Sequence, residues 1–583
     1  MGKIWRVSGP LVIADDMKGS QVYEVVEIGE EGLVGEIVGL EENKAIIQAH
    51  EDTLGLKVGE VVRGTGRVLS VELGPGLVGS IYDGLQKSLL TMGEDIGPFI
   101  KRGAKASALP RDKKWQFTPK VKVGDAVDQG NIIGVVPETN LIEHRIMVPV
   151  GIKGKIKEIR QGNYTVEEPV AWIEHNGEVK ELTLMHEWPV RKPRPYKQRF
   201  DPSGLLTTGM RILDYMFPLA LGGKASIPGG FGTGKTVALQ QLARWAQTHL
   251  NIYVGCGERG NEMADVLYSF RQLKDPKTGR LLQEKEIFLA NTSNMPVVAR
   301  EASIFVGITM AEYFRDMGYD ILVVADSTSR WAEAMREMSG RLEEMPGEEG
   351  FPSYMGSRLS SFYERAGMVE CLGSPERKGS VTVAGSVSPP GADFSEPVTQ
   401  NTLRIIDAFY ALEVSLANKR HFPAISWLTS YSLYVDAVKD WWNEHDPGWE
   451  NTRASALRVL QQEAELEEIV RLVGPEALPE GDKLLLLIAR MIREDFLQQS
   501  AYNEVDTYCT PTKAGLMLKT IMKFSELAQE MLNSGAGIES IRLSPMVYRI
   551  SRMKDIPNDV FEQRVKELWS EMEQGLVAGK QVP

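Results

Sequence analysis

Cysteine is scarce: Cys256, Cys371 and Cys509 are the only three among 583 residues. So sparse and odd a set argues against a disulfide framework and favours a reducing compartment. No apolar h-region follows Met1 in MGKIWRVSGP, so no signal peptide is expected. Long apolar runs are also lacking. A stretch such as Leu484 to Ala489 falls far short of the ~20 residues that cross a bilayer, and any membrane link would run through partner subunits. Positive charge is not in excess either. Against 79 Asp and Glu stand 66 Lys and Arg, a formal net charge of −13, which disfavours a nucleic-acid backbone as the main partner. No fixed-period repeat and no low-complexity tract occurs.

What is present suits a soluble globular chain with a large core: 43% hydrophobic and 25% charged residues. The length predicts roughly three to five domains at about 150 residues each. Alternation and glycine punctuation over the first 70 residues predict short strands at Lys3–Val7, Val22–Ile28, Gly35–Leu40 and Lys44–Gln48, the pattern of a small closed β-barrel. Residues 111–192 are again strand-rich. VKVGDAVDQGNIIGVVPE, MVPVGIKGKIKEI and NYTVEEPV are similar to the small sandwich of lipoyl and biotinyl carriers. A carrier needs an exposed lysine on the hairpin between its halves, and ETNLIEH at 138–144 has none, so a structural insertion is expected. Residues 193–435 alternate strands with amphipathic helices, the α/β pattern of a mostly parallel sheet, and 71–110 reads as its start. From 436 to 583 the period becomes helical. Leu457, Leu460, Leu466, Ile469 and Val470 share one spacing, as do Leu484, Leu487, Ile488, Met491 and Ile492; both stripes are expected in a core.

Gly229-Gly230-Phe231-Gly232-Thr233-Gly234-Lys235-Thr236 fits G-x-x-x-x-G-K-[ST]. Lys224–Ile227 supplies a preceding strand, and a helix opens with Val237 in VALQQLARWAQ. In that order, loop N–H groups wrap phosphates at the positive end of the helix. Lys235 would reach the β and γ phosphates, and the Thr236 hydroxyl would ligate magnesium. A continuous apolar strand, Asp320 to Ala325, ends at Asp326, where open α/β sheets place ligands. Asp326 is therefore a second magnesium ligand, acting through water, with a turn cap as the bland alternative. A third strand, Ile252–Cys256, leads to Glu258 and Arg259. A carboxylate beyond the γ-phosphate can orient and deprotonate the attacking water. Arg259 can contact phosphate or a neighbouring subunit, or form an ordinary surface salt bridge.

With these motifs in place, the chain resembles the catalytic A subunit of archaeal-type and V-type rotary ATPases. The resemblance rests on SVELGPGLVGSIYDGLQ at 70–86, GGFGTGKT, YVGCGERGNEM at 253–263 and NTSNMPVVAREASIFVGITMAEYFRDMG at 291–318. It continues through ADSTSRWAEAMRE, GEEGFPSYMGSRLSSFYERAG, VSPPGADFSEPVTQNTLRI, RHFPAISW and EDFLQQSAYNEVDTYC, and covers nearly the whole chain. It implies a multidomain α/β protein in which Lys235, Glu258 and Arg259 serve catalysis and Glu258 activates water. It implies that Phe231, Phe422, Gln499, Ala501 and Tyr502 belong to the adenine pocket, where flat rings can stack. Magnesium with ATP or ADP, coupling to proton or sodium transport, and a cytoplasmic-face location are implied too. So are a hexamer of three A and three B chains, an arginine finger from the B chain, and central and peripheral stalks. The F-type β subunit lacks the insertion, and the sister B subunit lacks an intact P-loop. Thr233 stands where eukaryotic V-type relatives carry cysteine, which removes a loop-disulfide switch. Gly230 replaces the commoner Pro or Ala and is expected to loosen the loop. The alternatives are a protein-export ATPase, an RNA-dependent hexameric helicase or termination factor, and a nucleotide-binding subunit that never turns over.

Overall fold

A computed structural model describes residues 1–90, 103, 106–275 and 278–578. Part of the expected 71–110 segment and the last five residues of the expected C-terminal domain lie outside the described residues. The chain divides into two compact units. One comprises residues 1–201, 248–387 and 395–405; the other comprises 202–247, 388–394 and 406–583.

The first unit opens with six strands: β1 Gly2–Ser8, β2 Leu11–Asp15, β3 Glu24–Ile28, β4 Leu33–Glu41, β5 Lys44–Ala49 and β6 Val61–Val68. They close a barrel in the order β1-β2-β5-β4-β3-β6. Every second side chain points inward, so Val12, Ala14, Val26, Ile28, Ile37 and Ile47 fill it completely. Closure leaves no bare strand edge.

Two four-stranded sheets form the insertion: 126–127, 154–159, 171–175 and 178–182 in one, and 143–147, 132–137, 115–119 and 162–164 in the other. The lysine-free hairpin is bound down rather than free. Glu138 accepts from the Gly76 and Val78 amides at 2.7 and 3.0 Å. His144 joins Glu138 at 2.6 Å through Nδ1 and the Tyr313 hydroxyl at 2.8 Å through Nε2. All three side chains are buried. Arg145 donates to the Met317 carbonyl and Arg377 Nε to the Asp316 carbonyl at 2.7 Å. Both cations thus sit at the negative end of the 20-residue helix Val297–Asp316.

Behind the insertion, five strands pair in parallel in the order Ile81–Tyr82, Glu286–Thr292, Leu250–Glu258, Asp320–Asp326, Lys378–Val387. Leu250–Gly257 and Ile321–Asp326 are buried throughout, as two-sided cover by helices requires.

In the second unit, strand Lys224–Pro228 pairs in parallel with Ala408–Phe409, which pairs antiparallel with Tyr431–Ser432. Seven helices follow among the described residues, from Val435–His445 to Phe561–Ala578. Tyr215, Trp442, Trp449 and Phe496 pack edge-on and stacked where the helices meet the α/β part of this unit. Of the two apolar stripes, Leu484, Leu487, Ile488, Met491 and Ile492 are buried. The other is core only at Leu460, and Ile469 is 46% exposed. The three cysteines are free and buried.

Candidate functional site

The residues expected at the site fall in both units. In the second unit the strand, loop and helix follow in the expected order, with strand Lys224–Pro228 and helix Lys235–Trp245. Gly232 and Gly234 hold φ of 77° and 86°, where a β-carbon is strained. Gly234 is the helix N-cap, so its left-handed turn aims the first free N–H groups along the loop. Lys235 Nζ donates to the Gly229 and Gly230 carbonyls at 2.8 and 3.0 Å. Buried Thr233 donates its hydroxyl to the Gly230 carbonyl at 2.8 Å. Gly230 has ordinary φ, but a β-carbon there would lie 3.0 Å from Ala392 Cβ. Thr236 stands in the first turn of the helix, half-buried.

Beside the loop lies a cavity of about 600 Å³ walled by Gly232, Gly234, Val237, Phe422, Gln499, Ala501 and Tyr502, together with Gln241, Arg420, Lys554 and Asp555. Phe422 and Tyr502 present rings that are 42% and 87% exposed, as stacking on a flat base requires. Phe231 is 90% exposed and is not part of this wall. Gln499 reaches the cavity with its amide already engaged. Its Oε1 accepts from Arg211 N at 2.9 Å, and its Nε2 donates to the Gly209 and Asp506 carbonyls at 2.8 Å each.

In the first unit, Glu258 and Asp326 end neighbouring parallel strands, where Gly255 pairs with Asp326. A β-bulge between Cys256 and Glu258 re-aims the glutamate. Asp326 is buried and accepts from the Tyr253 hydroxyl at 2.9 Å and the Ser386 hydroxyl at 2.8 Å. It is not an exposed turn cap. The carboxyl of Glu258 is pushed up to about 7 by burial first, then by the charges of Asp326 and Glu262, against the opposing pull of Arg330. Neutral water-activating chemistry needs proton affinity in that range. Arg259 is exposed and lies 3.9 Å from Glu262. Arg330, in helix Thr328–Arg341, pairs with Glu333 at 3.0 Å, and its charge opposes the rise at Glu258. Sequence reasoning missed it, since it lay unremarked within ADSTSRWAEAMRE.

The Thr236 hydroxyl in one unit and the Asp326 carboxylate in the other are each an oxygen donor of the kind magnesium takes, one or two at a time beside phosphates and water. Among the described residues no group of three or more His, Cys, Asp or Glu forms a self-sufficient metal cage.

Four family models match the chain. The ATP synthase alpha/beta family nucleotide-binding domain matches residues 209–432, and the barrel-sandwich domain of the same subunits matches 106–191. The C-terminal domain of V and A type ATP synthase matches 439–541, and the alpha/beta family β-barrel domain matches 4–66. Proteins named as the A subunit of A-type ATP synthase are similar throughout. That of Staphylothermus marinus is 62% identical over 98% of this chain and 96% of its own length. That of Methanopyrus kandleri is 58% identical over 97% and 96%. That of Thermococcus sibiricus is 58% identical over 98% and 99%.

Proposed function

Because the chain belongs to the family of A subunits of A-type ATP synthases, we propose that the residues gathered above carry its nucleotide chemistry. The protein binds ATP and ADP and interconverts ATP and water with ADP and phosphate, as one component of a rotary ATPase whose reaction is coupled to ion transport. The match to the V and A type C-terminal domain favours this over an export ATPase or an RNA-dependent helicase.

In the proposed mechanism the loop N–H groups and the positive helix end bind the phosphates. Lys235 exchanges its carbonyl partners for β and γ phosphate oxygens. Thr236 and Asp326 are the residues that would hold magnesium, which would neutralise developing phosphate charge when bound. Glu258 takes a proton from the attacking water as it approaches the γ-phosphate, and returns it in synthesis. The charge of Arg330 pulls the Glu258 carboxyl down, against burial and the neighbouring acids. Arg259 contacts phosphate or an adjoining subunit. Phe422, Tyr502 and Ala501 receive the adenine.

The protein works within a multisubunit complex bound to a membrane, and no helix among the described residues is long and apolar enough to cross one. The finer arrangement is part of the proposal: three copies alternate with three B chains on the cytoplasmic face. A B-chain arginine completes each site, and central and peripheral stalks attach to the ring.

The observation that carries this reading is Lys235 Nζ poised on the loop carbonyls at the head of the helix. Its test is ATP titration of Lys235→Ala. Affinity should fall at least ~100-fold, the loss expected for a removed charge-assisted phosphate contact. Unchanged affinity would overturn the phosphate assignment.

A further inference from the structure

Arg211 is fully buried and is not on the wall of the cavity beside the P-loop, yet its Nε, Nη1 and Nη2 each donate to the segment that forms that wall. Its Nε donates to the Phe496 carbonyl at 2.6 Å, Nη2 to the Gln498 carbonyl at 2.8 Å and Nη1 to Asp506 Oδ1 at 2.6 Å. Its own backbone N–H donates to Gln499 Oε1. Asp506 in turn accepts from Ser500 N at 2.8 Å through Oδ2. Gln499 closes the circuit through Nε2 to the Asp506 carbonyl, and its N–H donates to the Phe422 carbonyl at 2.8 Å. One guanidinium thus fixes both arms of the segment 496–506 and, through Gln499, the segment that carries Phe422.

We infer that Arg211 is a positioning residue for the base half of the nucleotide site, acting through Asp506 and Gln499 without touching the nucleotide. The planar guanidinium satisfies three acceptors in three directions, which a lysine ammonium on a flexible stem does not reproduce. Removing it would also leave Asp506 buried without its countercharge. A fault in this clamp displaces the rings that receive the base and leaves the P-loop in place. Its signature is therefore a base-side loss, distinct from loss of phosphate binding.

The inference rests on the proposed nucleotide site, and the experiment separates the two. In the assembled complex, KM and kcat for ATP are measured together with the inhibition constant of inorganic tripolyphosphate, which has no base. Arg211→Lys should raise KM for ATP about tenfold, with kcat within about twofold and the tripolyphosphate constant unchanged. Gln499→Ala, which leaves the guanidinium intact, should move KM the same way and serves if Arg211→Lys does not fold. Folded variants with unchanged KM would overturn the inference. So would an equal loss of ATP and tripolyphosphate affinity. Failure of tripolyphosphate to compete with ATP in the unmodified protein would instead strike at the nucleotide site itself.

Discussion

His50 follows β5 with both ring nitrogens buried and unpartnered, and its protonation is held down to about 3 by burial, then by Arg191 and Lys87. In the unfolded chain the imidazole takes its proton near 6.5. The folded state therefore binds fewer protons below that pH. The stability His50 contributes is complete above 6.5 and is lost as pH falls toward 3, at a slope approaching about 1.4 kcal/mol per pH unit. His50→Leu should flatten the fall in thermal midpoint between pH 7 and pH 5. An unaltered pH slope would show that the ring finds a proton acceptor on folding. Glu258 illustrates the same physics with opposite sign: burial beside Asp326 raises a carboxyl, and that is the property a water-activating base needs. Single residues were also where sequence reading reached its limit. GER and GKT name their chemistry in the letters. Arg330 does not, because its effect on Glu258 is a charge effect between two different elements. Gln499 carried a motif, but its amide is engaged in the loop's own structure, which no motif records.

The loop and helix Lys235–Trp245 were legible because each carries its own local signal, a spaced set of glycines and a helical period, while strand Lys224–Pro228 was placed by the loop that follows it. The barrel strands were legible for the same reason, since alternation writes the inward face into the sequence. The stripe through Ile469 was misleading. Periodicity reports that a helix has an apolar face, and it cannot report whether another element covers that face. The hairpin at 138–144 shows the converse. Nothing local marks Glu138 and His144 as buried, yet Tyr313, 169 positions away from His144, completes a three-member chain with them. Tyr313→Phe deletes one hydroxyl and strands the His144 nitrogen. It should cost about 1–3 kcal/mol and speed hydrogen exchange in residues 138–144. Unchanged urea unfolding and exchange would mean that the hairpin is held by its backbone contacts alone.

Across the whole molecule, the sequence motifs and the matched family models run from the barrel to the helical end, so the architecture was readable end to end. The assembly was not, because contacts between chains leave no periodic mark on either one. If a neighbouring B chain supplies an arginine to the site, the purified chain alone should hydrolyse ATP about 10³–10⁵-fold more slowly than the reconstituted complex. Equal rates per site would remove the partner arginine from the account. The most direct single measurement is turnover by the reconstituted complex carrying Glu258→Gln, with ATP binding followed in the same preparation. The account predicts retained binding and a fall in turnover of at least ~10²-fold, the usual size of a general-base contribution. Near-normal hydrolysis by that variant would contradict it.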